Sequence, residues 1–324
     1  EMAEAAGITL VSGEEKNPLR TTTYGVGEMI LDAQKNGARQ FVIGIGGSAT
    51  NDAGAGMLQA LGFRLLDADG NDIPRGGAGL AKLAKIDRGI AAAALDGKSF
   101  RVACDVKNPL CGPNGASAVF GPQKGATPEM VAELDAALAR FAEMVEGAKV
   151  KGEGEHRMLD SFSEPKAQME NVRSSPSPQT FTSSRFPGSG AAGGLGFAFK
   201  AFLNAELVPG VELILKETRL EEFVREADVV ITGEGRLDGQ TVMGKAPIGV
   251  ARLAKKHGKR VLAFSGCVGD GVEAVNAAGI DAFFPILRNV VTLEEALDVP
   301  TAAANLTATV EQTFRLLSLQ LPLT

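Results

Sequence analysis

The chain has 324 residues, 44 % of them hydrophobic and 22 % charged, with a formal net charge of −6. That length and balance allow two globular domains with a sizeable core, and an acidic chain with its Lys and Arg spread out lacks the basic patch that nucleic acid requires. No Trp and one Tyr leave few base-stacking platforms, and no apolar run reaches the roughly 18 residues of a membrane helix, so neither nucleic acid nor a membrane is expected as a partner.

In chain order, residues 26–36 read as a helix that Gly37 stops. Phe41–Ile45 reads as a strand, followed by the loop Gly44-Ile45-Gly46-Gly47-Ser48-Ala49-Thr50-Asn51-Asp52-Ala53-Gly54-Ala55-Gly56 and a helical pattern over Met57–Leu61. Phe63–Leu66 and Asp72–Ile73 flank the turn signal Asp69-Gly70-Asn71, and 76–95 stays unassigned. Phe100–Cys104 is a strand ending at Asp105. Residues 128–146 form the clearest helix, with Thr127 to cap it, Pro128 at its first position and an apolar stripe from Val131 to Val145. From Lys151 to Pro187 the apolar period gives way to seven serines, four prolines and many charges, which reads as a flexible insertion over 152–187. A second glycine-rich patch, Gly188 to Gly196, precedes an apolar helix near 195–204. The last third alternates: strand Val229–Thr232, helix 244–257, strand Arg260–Phe264, helix Val272–Ala278, strand Ala282–Leu287. This order implies an α/β fold with a parallel sheet, and ligands of such sheets gather at the strands' carboxyl ends.

Cys104, Cys111 and Cys267 show no CxxC spacing and read as reduced thiols of a cytoplasmic chain. Residue 1 is Glu, with no basic and apolar leader after it, so the chain reads as a fragment without a secretory signal. With His156 and His257 as the only imidazoles, acid–base work falls to carboxylates or lysine. His257 closes a basic helix end, where a cation is favourable.

Four stretches can carry chemistry. The 44–56 loop has five glycines in thirteen residues; bare backbone N–H groups beside a helix N-terminus suit an anion. Gly46, Gly47, Ser48, Thr50 and Asn51 are its candidate ligand contacts. Asp52 is the candidate to anchor Mg²⁺ or orient an attacking hydroxyl. The bland alternative is a tight turn that only needs glycine. A rival is a dinucleotide fingerprint in Gly44-x-Gly46-x-x-Ala49 with Asp67 at the ribose, but Asp52 would repel a pyrophosphate unless a cation intervened. The second stretch is Thr232 to Gln240 with Gly244-Lys245. Arg236 can grip a carboxylate or phosphate, Lys245 can reach a phosphate, and Glu234 or Asp238 can hold Mg²⁺ or accept a proton. A polar loop of mutually satisfied ion pairs is its alternative. The third, Asp105 to Leu110, offers Asp105 and Asn108 to a cation or polyol, against an Asx turn before Pro109. The fourth, Gly190 to Gly194, offers Gly193 and Gly194 as bare backbone, against close helix packing.

Together these residues resemble the type I glycerate kinase family. The resemblance rests on Ile43-Gly44-Ile45-Gly46-Gly47-Ser48-Ala49-Thr50-Asn51-Asp52, Ala103-Cys104-Asp105-Val106-x-Asn108-Pro109-Leu110, Phe120-Gly121-Pro122-Gln123-Lys124-Gly125-Ala126, Gly190-Ala191-Ala192-Gly193-Gly194, and Thr232-Gly233-Glu234-Gly235-Arg236-x-Asp238 with Gly244-Lys245. It covers nearly the whole chain outside 152–187. It implies phosphorylation of D-glycerate with ATP and Mg²⁺. It also implies two α/β domains: 1–207 inserted into a Rossmann-like core, and 208–324 as the C-terminal part of that core. Family members normally begin with a strand bearing Asp-Ser-x-Lys and a later Gly-Gly-Glu-Gly segment, which this chain is expected to lack. In this reading Asp52, Arg236, Asp238 and Lys245 carry the chemistry, at glycine-bared strand tips that hold a metal-loaded triphosphate. An NAD-dependent oxidoreductase, or a truncated remnant that binds a small acid without turnover, are the alternatives. No oligomeric state follows from these motifs.

Overall fold

The computed structural model describes residues 1–87, 95, 97–152 and 186–319. The chain divides into two compact units, Glu1–Gly210 and Val211–Thr324. The expected flexible stretch 152–187 lies outside the described residues except at its ends.

The first unit is built on three parallel strands in the order β1 (Gln40–Gly44), β4 (Ser99–Ala103) and β5 (Glu206–Val208). Strand β1 alternates as a pleat demands: Phe41 and Ile43 are buried while Val42 is exposed. Phe41 pairs with Phe100 across the ladder, and their rings stack at 4.8 Å. The helix Pro128–Gly152 lays Leu134, Leu138, Phe141 and Val145 into the core. The Thr127 hydroxyl accepts from the Met130 N–H at its start, as a cap does. The segment Ala191–Leu203 is apolar nearly all round and correspondingly buried; Ala192, Gly193 and Gly194 are left-handed at its start, and the helix proper follows them. Tyr24–Lys35 is the helix expected over 26–36, and Gly37 terminates it at φ +89°.

The hairpin differs from expectation. The three-residue strand β2 (Arg64–Leu66) forms its ladder with β3 (Lys85–Asp87), antiparallel, while Asp72–Ile73 forms no strand and its backbone meets β2 through Ile73 N–H to Leu65 O at 2.8 Å and one bridge. Asp72 makes the isolated bridge to Leu66, and its carboxylate accepts from the Arg64 guanidinium at 3.1 Å. The turn itself holds as read, because the Asp67 carboxylate accepts from the Asp69 and Asn71 N–H groups at 3.0 and 2.9 Å.

The second unit has the expected parallel sheet, in the order β6 (Val229–Leu237), β7 (Arg260–Val268) and β8 (Ala282–Pro285). The crossover helix Ala246–Lys256 buries Ile248, Ala251 and Ala254 against it. Strand β6 does not stop at Thr232. It runs on to Leu237 because Glu234, Arg236 and Leu237 keep pairing with Ser265, Cys267 and Val268 of a longer β7. Glu234 and Arg236 therefore sit on rigid strand rather than in a loop. A short helix, Ala274–Ala277, stands within the expected Val272–Ala278, and helices Gly210–Glu217, Leu220–Glu226, Leu293–Leu297 and Val299–Ser318 also belong to this region. Among the described residues no helix is long and apolar enough to cross a membrane.

Candidate active site

In the first unit the chain leaves β1 at Gly44 and does not enter a helix until Ala55. A G-x-G-x-x-A fingerprint needs its helix to open directly behind the glycines, so this spacing does not suit a dinucleotide pyrophosphate. The loop between is tied down on several sides. Ile8 N–H donates to Gly47 O at 2.8 Å and Ala49 N–H to Ala6 O at 2.9 Å. Ala53 N–H donates to Gly193 O at 2.9 Å.

Asp52 is fully buried and turned into the protein. Its carboxylate accepts from Thr23 N–H at 2.8 Å, the Thr23 hydroxyl at 3.0 Å, and Gly54 and Gly56 N–H at 3.1 and 3.2 Å. Burial pushes its pKa upward, against the pull of those donors from Thr23, Gly56 and Gly54. Its oxygens are thus engaged in organising the loop and the first turn of the Ala55–Ala60 helix, an arrangement that favours a structural role over the expected metal-anchoring one. Thr50 and Asn51 are buried with it. Asn51 Nδ2 donates to Ser117 Oγ at 2.8 Å. Thr50 Oγ1 and Asn51 Oδ1 are buried without a hydrogen-bond partner among the described residues.

Gly193 and Gly194 are also reassigned. Both have positive φ, and a Cβ on Gly193 would stand 2.0 Å from Thr50 O. On Gly194 it would stand 2.8 Å from Ala53 Cα. These glycines let one backbone lie directly on the loop, which is the packing alternative rather than ligand contact. Asn108 closes its own loop, its Nδ2 donating to Asn114 O at 2.9 Å. Asp105 stays exposed and accepts from Gly210 N–H at 2.7 Å.

Gly46, Gly47, Ser48 and Asp105 do converge. With Lys124 and Ala192 they line a cavity of about 330 Å³ at the carboxyl ends of β1 and β4, where open α/β sheets place their ligands. A Cβ on Gly46 would meet nothing within 4 Å, so packing does not require a glycine there. Lys124, which did not stand among the expected site residues, is 2 % exposed. Its Nζ donates to Ser48 Oγ at 2.7 Å and to Thr50 O at 2.6 Å. Burial lowers its pKa to about 7, although Asp52 pulls it upward.

In the second unit Asp238 gathers the charged set. Its carboxylate lies 3.5 Å from Arg236 Nε and 3.8 Å from Lys245 Nζ. It also accepts from Gln240 N–H at 2.9 Å. Thr241 joins Glu234 to this group: its hydroxyl donates to Glu234 Oε1 and accepts from Asp238 N–H at 3.1 Å. Lys245 stands at the N-terminus of the Ala246–Lys256 helix, ahead of Pro247. Arg236 and Lys245 remain exposed while Asp238 is 17 % exposed, so two cations face outward from one anchoring carboxylate. A larger, mostly apolar cavity of about 800 Å³ adjoins Thr232 to Gly235 and Ser265 to Cys267.

Two exposed cations beside one carboxylate at the end of a parallel sheet suit an anionic small molecule. The comparisons with known proteins agree. The model of the glycerate kinase family matches residues 1–318, and the chain belongs to that family. A glycerate kinase of Halalkalibacterium halodurans is 47 % identical over 297 residues, covering 92 % of this chain and 70 % of the relative. The glycerate 2-kinase of Escherichia coli K12 is 45 % identical over 314 residues, covering 95 % and 74 %. A crystal structure assigned as a glycerate kinase 2 from Salmonella typhimurium LT2 superposes with a TM-score of 0.73 at 43 % identity, covering 97 % of this chain and 75 % of that one.

Proposed function

We propose that this chain transfers a phosphoryl group from ATP to a hydroxyl of D-glycerate, giving phosphoglycerate, with Mg²⁺ accompanying the nucleotide. Membership of the glycerate kinase family over residues 1–318 carries this reading. A kinase takes a nucleotide and, in this family, a small-molecule acceptor; ATP and glycerate are the specific pair proposed.

Phosphoryl transfer asks a protein for positioning and charge neutralisation more than for covalent chemistry. Arg236 and Lys245 suit the neutralising role, and Asp238 holds them on the end of β6. Magnesium, when bound, spreads the phosphate charge and is held mainly by phosphate and water oxygens. Asp238 suits its one protein carboxylate, because its ion pairs are long and its side chain reaches solvent. The buried Asp52 does not. Gly46, Gly47 and Ser48, shaped from behind by Thr50, Asn51 and Asp52, suit an anionic oxygen of either substrate. Asp105 and Asn108 in the first unit, and separately Glu234 in the second, remain candidates for contact with a substrate hydroxyl.

On the same reading residues 1–207 are an inserted domain and 208–324 part of a Rossmann-like core. The chain then works in the cytoplasm on small molecules, with no nucleic-acid partner. ADP release measured with D-glycerate and ATP, with and without Mg²⁺, tests it. Release dependent on both glycerate and Mg²⁺ is expected. Glycerate-independent release, or none at all, contradicts it.

A further inference from the structure

Lys124 is the buried charge of the first unit's cavity, and its partners leave it with work to do. An ammonium has three N–H donors. Among the described residues two are used, on Ser48 Oγ and Thr50 O. Ser48 accepts from Lys124, so its own hydroxyl proton must be given elsewhere, and donation from an ammonium polarises that hydroxyl toward a stronger donor. Ser48 borders the cavity together with Gly46, Gly47 and Lys124 itself. The cost of such a burial argues against a purely structural role. Buried ionic groups can often be exchanged for well-packed apolar side chains of similar volume without loss of stability. Nor does packing explain the bare backbone opposite, since an added Cβ at Gly46 meets no neighbour within 4 Å. Together a buried cation, a polarised hydroxyl and a side-chain-free strand tip describe a receptor for negatively charged oxygen.

We propose that Lys124 is the positioning cation of this cavity: it holds Ser48 and the Thr50 carbonyl in place so that the Ser48 hydroxyl and the Gly46–Gly47 backbone take an anionic group. That group is the carboxylate of the hydroxy acid or a phosphate of the nucleotide. The inference rests on the kinase reading for the identity of its ligands, but not for the site itself. Both sources share one chemistry, a planar or tetrahedral oxyanion small enough for about 330 Å³.

Titration calorimetry on the full chain with D-glycerate and, separately, ADP tests it, using Lys124→Met, Ser48→Ala and the double variant, with the thermal midpoint recorded for each. Lys124→Met is expected to weaken one of the two ligands tenfold or more and leave the other within threefold, and the weakened ligand names the source. Ser48→Ala weakens the same ligand at least threefold. The double variant is no weaker than Lys124→Met alone, because the hydroxyl acts through the ammonium. Unchanged affinity for both ligands in a folded Lys124→Met, or losses that multiply in the double variant, overturns the proposal. If Lys124→Met does not fold, Ser48→Ala decides: unchanged affinity overturns it, and a threefold loss sustains it. Binding that falls in these variants while no phosphoglycerate forms would sink the kinase reading and leave this inference standing. Turnover with undiminished binding in Lys124→Met would do the reverse.

Discussion

Thr23 holds Asp52 with two donors at once, its backbone N–H at 2.8 Å and its hydroxyl at 3.0 Å. The same hydroxyl accepts from Met57 N–H at 3.0 Å, so one threonine locks the carboxylate to the first turn of the following helix. A carboxylate satisfied in this way builds the loop and does not reach for a metal.

Asp52→Ala therefore acts on stability. It strips the acceptor from several buried donors, which costs about 3 kcal/mol or more. Urea denaturation reads that loss as a lower midpoint with an unchanged slope. A variant of wild-type stability with altered Mg²⁺ dependence would instead restore the metal-anchoring role.

Two glycines, Gly193 packed on the loop and Gly46 lining the cavity, respond in opposite ways to a methyl group. Gly193→Ala places a Cβ on Thr50 O at a backbone φ of +67°, which costs about 2 kcal/mol or more from left-handed strain before the clash is counted. Gly46→Ala meets no atom within 4 Å, so stability changes by no more than about 1 kcal/mol. Its effect is expected in ligand affinity, with a several-fold rise in the Kd for the anion that Lys124→Met weakens. Matched denaturation and calorimetry on the two variants check the contrast.

Lys124 makes stability depend on pH. Its folded pKa of about 7 lies below the ordinary 10.5. Between those values the unfolded chain binds the proton and the ligand-free folded chain releases it, so stability rises with pH across that window; an anion bound at Ser48 favours the ammonium and draws the proton back. Below about pH 7 both states carry the charge and the full cost of burying it is felt. Denaturation at pH 6, 7.5 and 9 is expected to show this slope in the wild type and its loss in Lys124→Met. Parallel slopes in the two proteins would contradict the buried-charge assignment.

Lys245→Met removes an exposed cation whose nearest anionic partner, Asp238, lies 3.8 Å away. Folding is expected to hold within about 0.5 kcal/mol. Turnover is expected to fall roughly tenfold or more, the scale of losing one charge-stabilising group. Steady-state kinetics of ADP release checks it, and unchanged kcat and KM would take Lys245 out of the site.

Much of the scaffold was legible from local pattern. Phe41 and Ile43 alternate with polar or exposed neighbours, Thr127-Pro128 starts a helix, and the apolar runs at Val261 and Phe283 mark parallel strands. What stayed hidden depends on partners distant in sequence. Strands β3 and β5 are three residues long, too short to show a period. Glu234 and Arg236 look like loop residues, and only the continued pairing with Ser265 and Cys267 makes them strand. Lys124 sits between Gln123 and Gly125, a local context that reads as surface. Its burial follows from Ser48 and Thr50, more than seventy residues earlier. Asp52 was legible as a special residue but not in its direction, because the donors that turn it inward belong mainly to Thr23 and to the helix start.

The most direct test of the central claim is ³¹P NMR of a reaction of this chain with ATP, Mg²⁺ and D-glycerate. A new phosphomonoester resonance of phosphoglycerate, growing as the ATP γ-signal declines and absent without glycerate, is the expected result. Loss of the γ-signal into inorganic phosphate alone, with no phosphoglycerate at any time, would contradict the assignment.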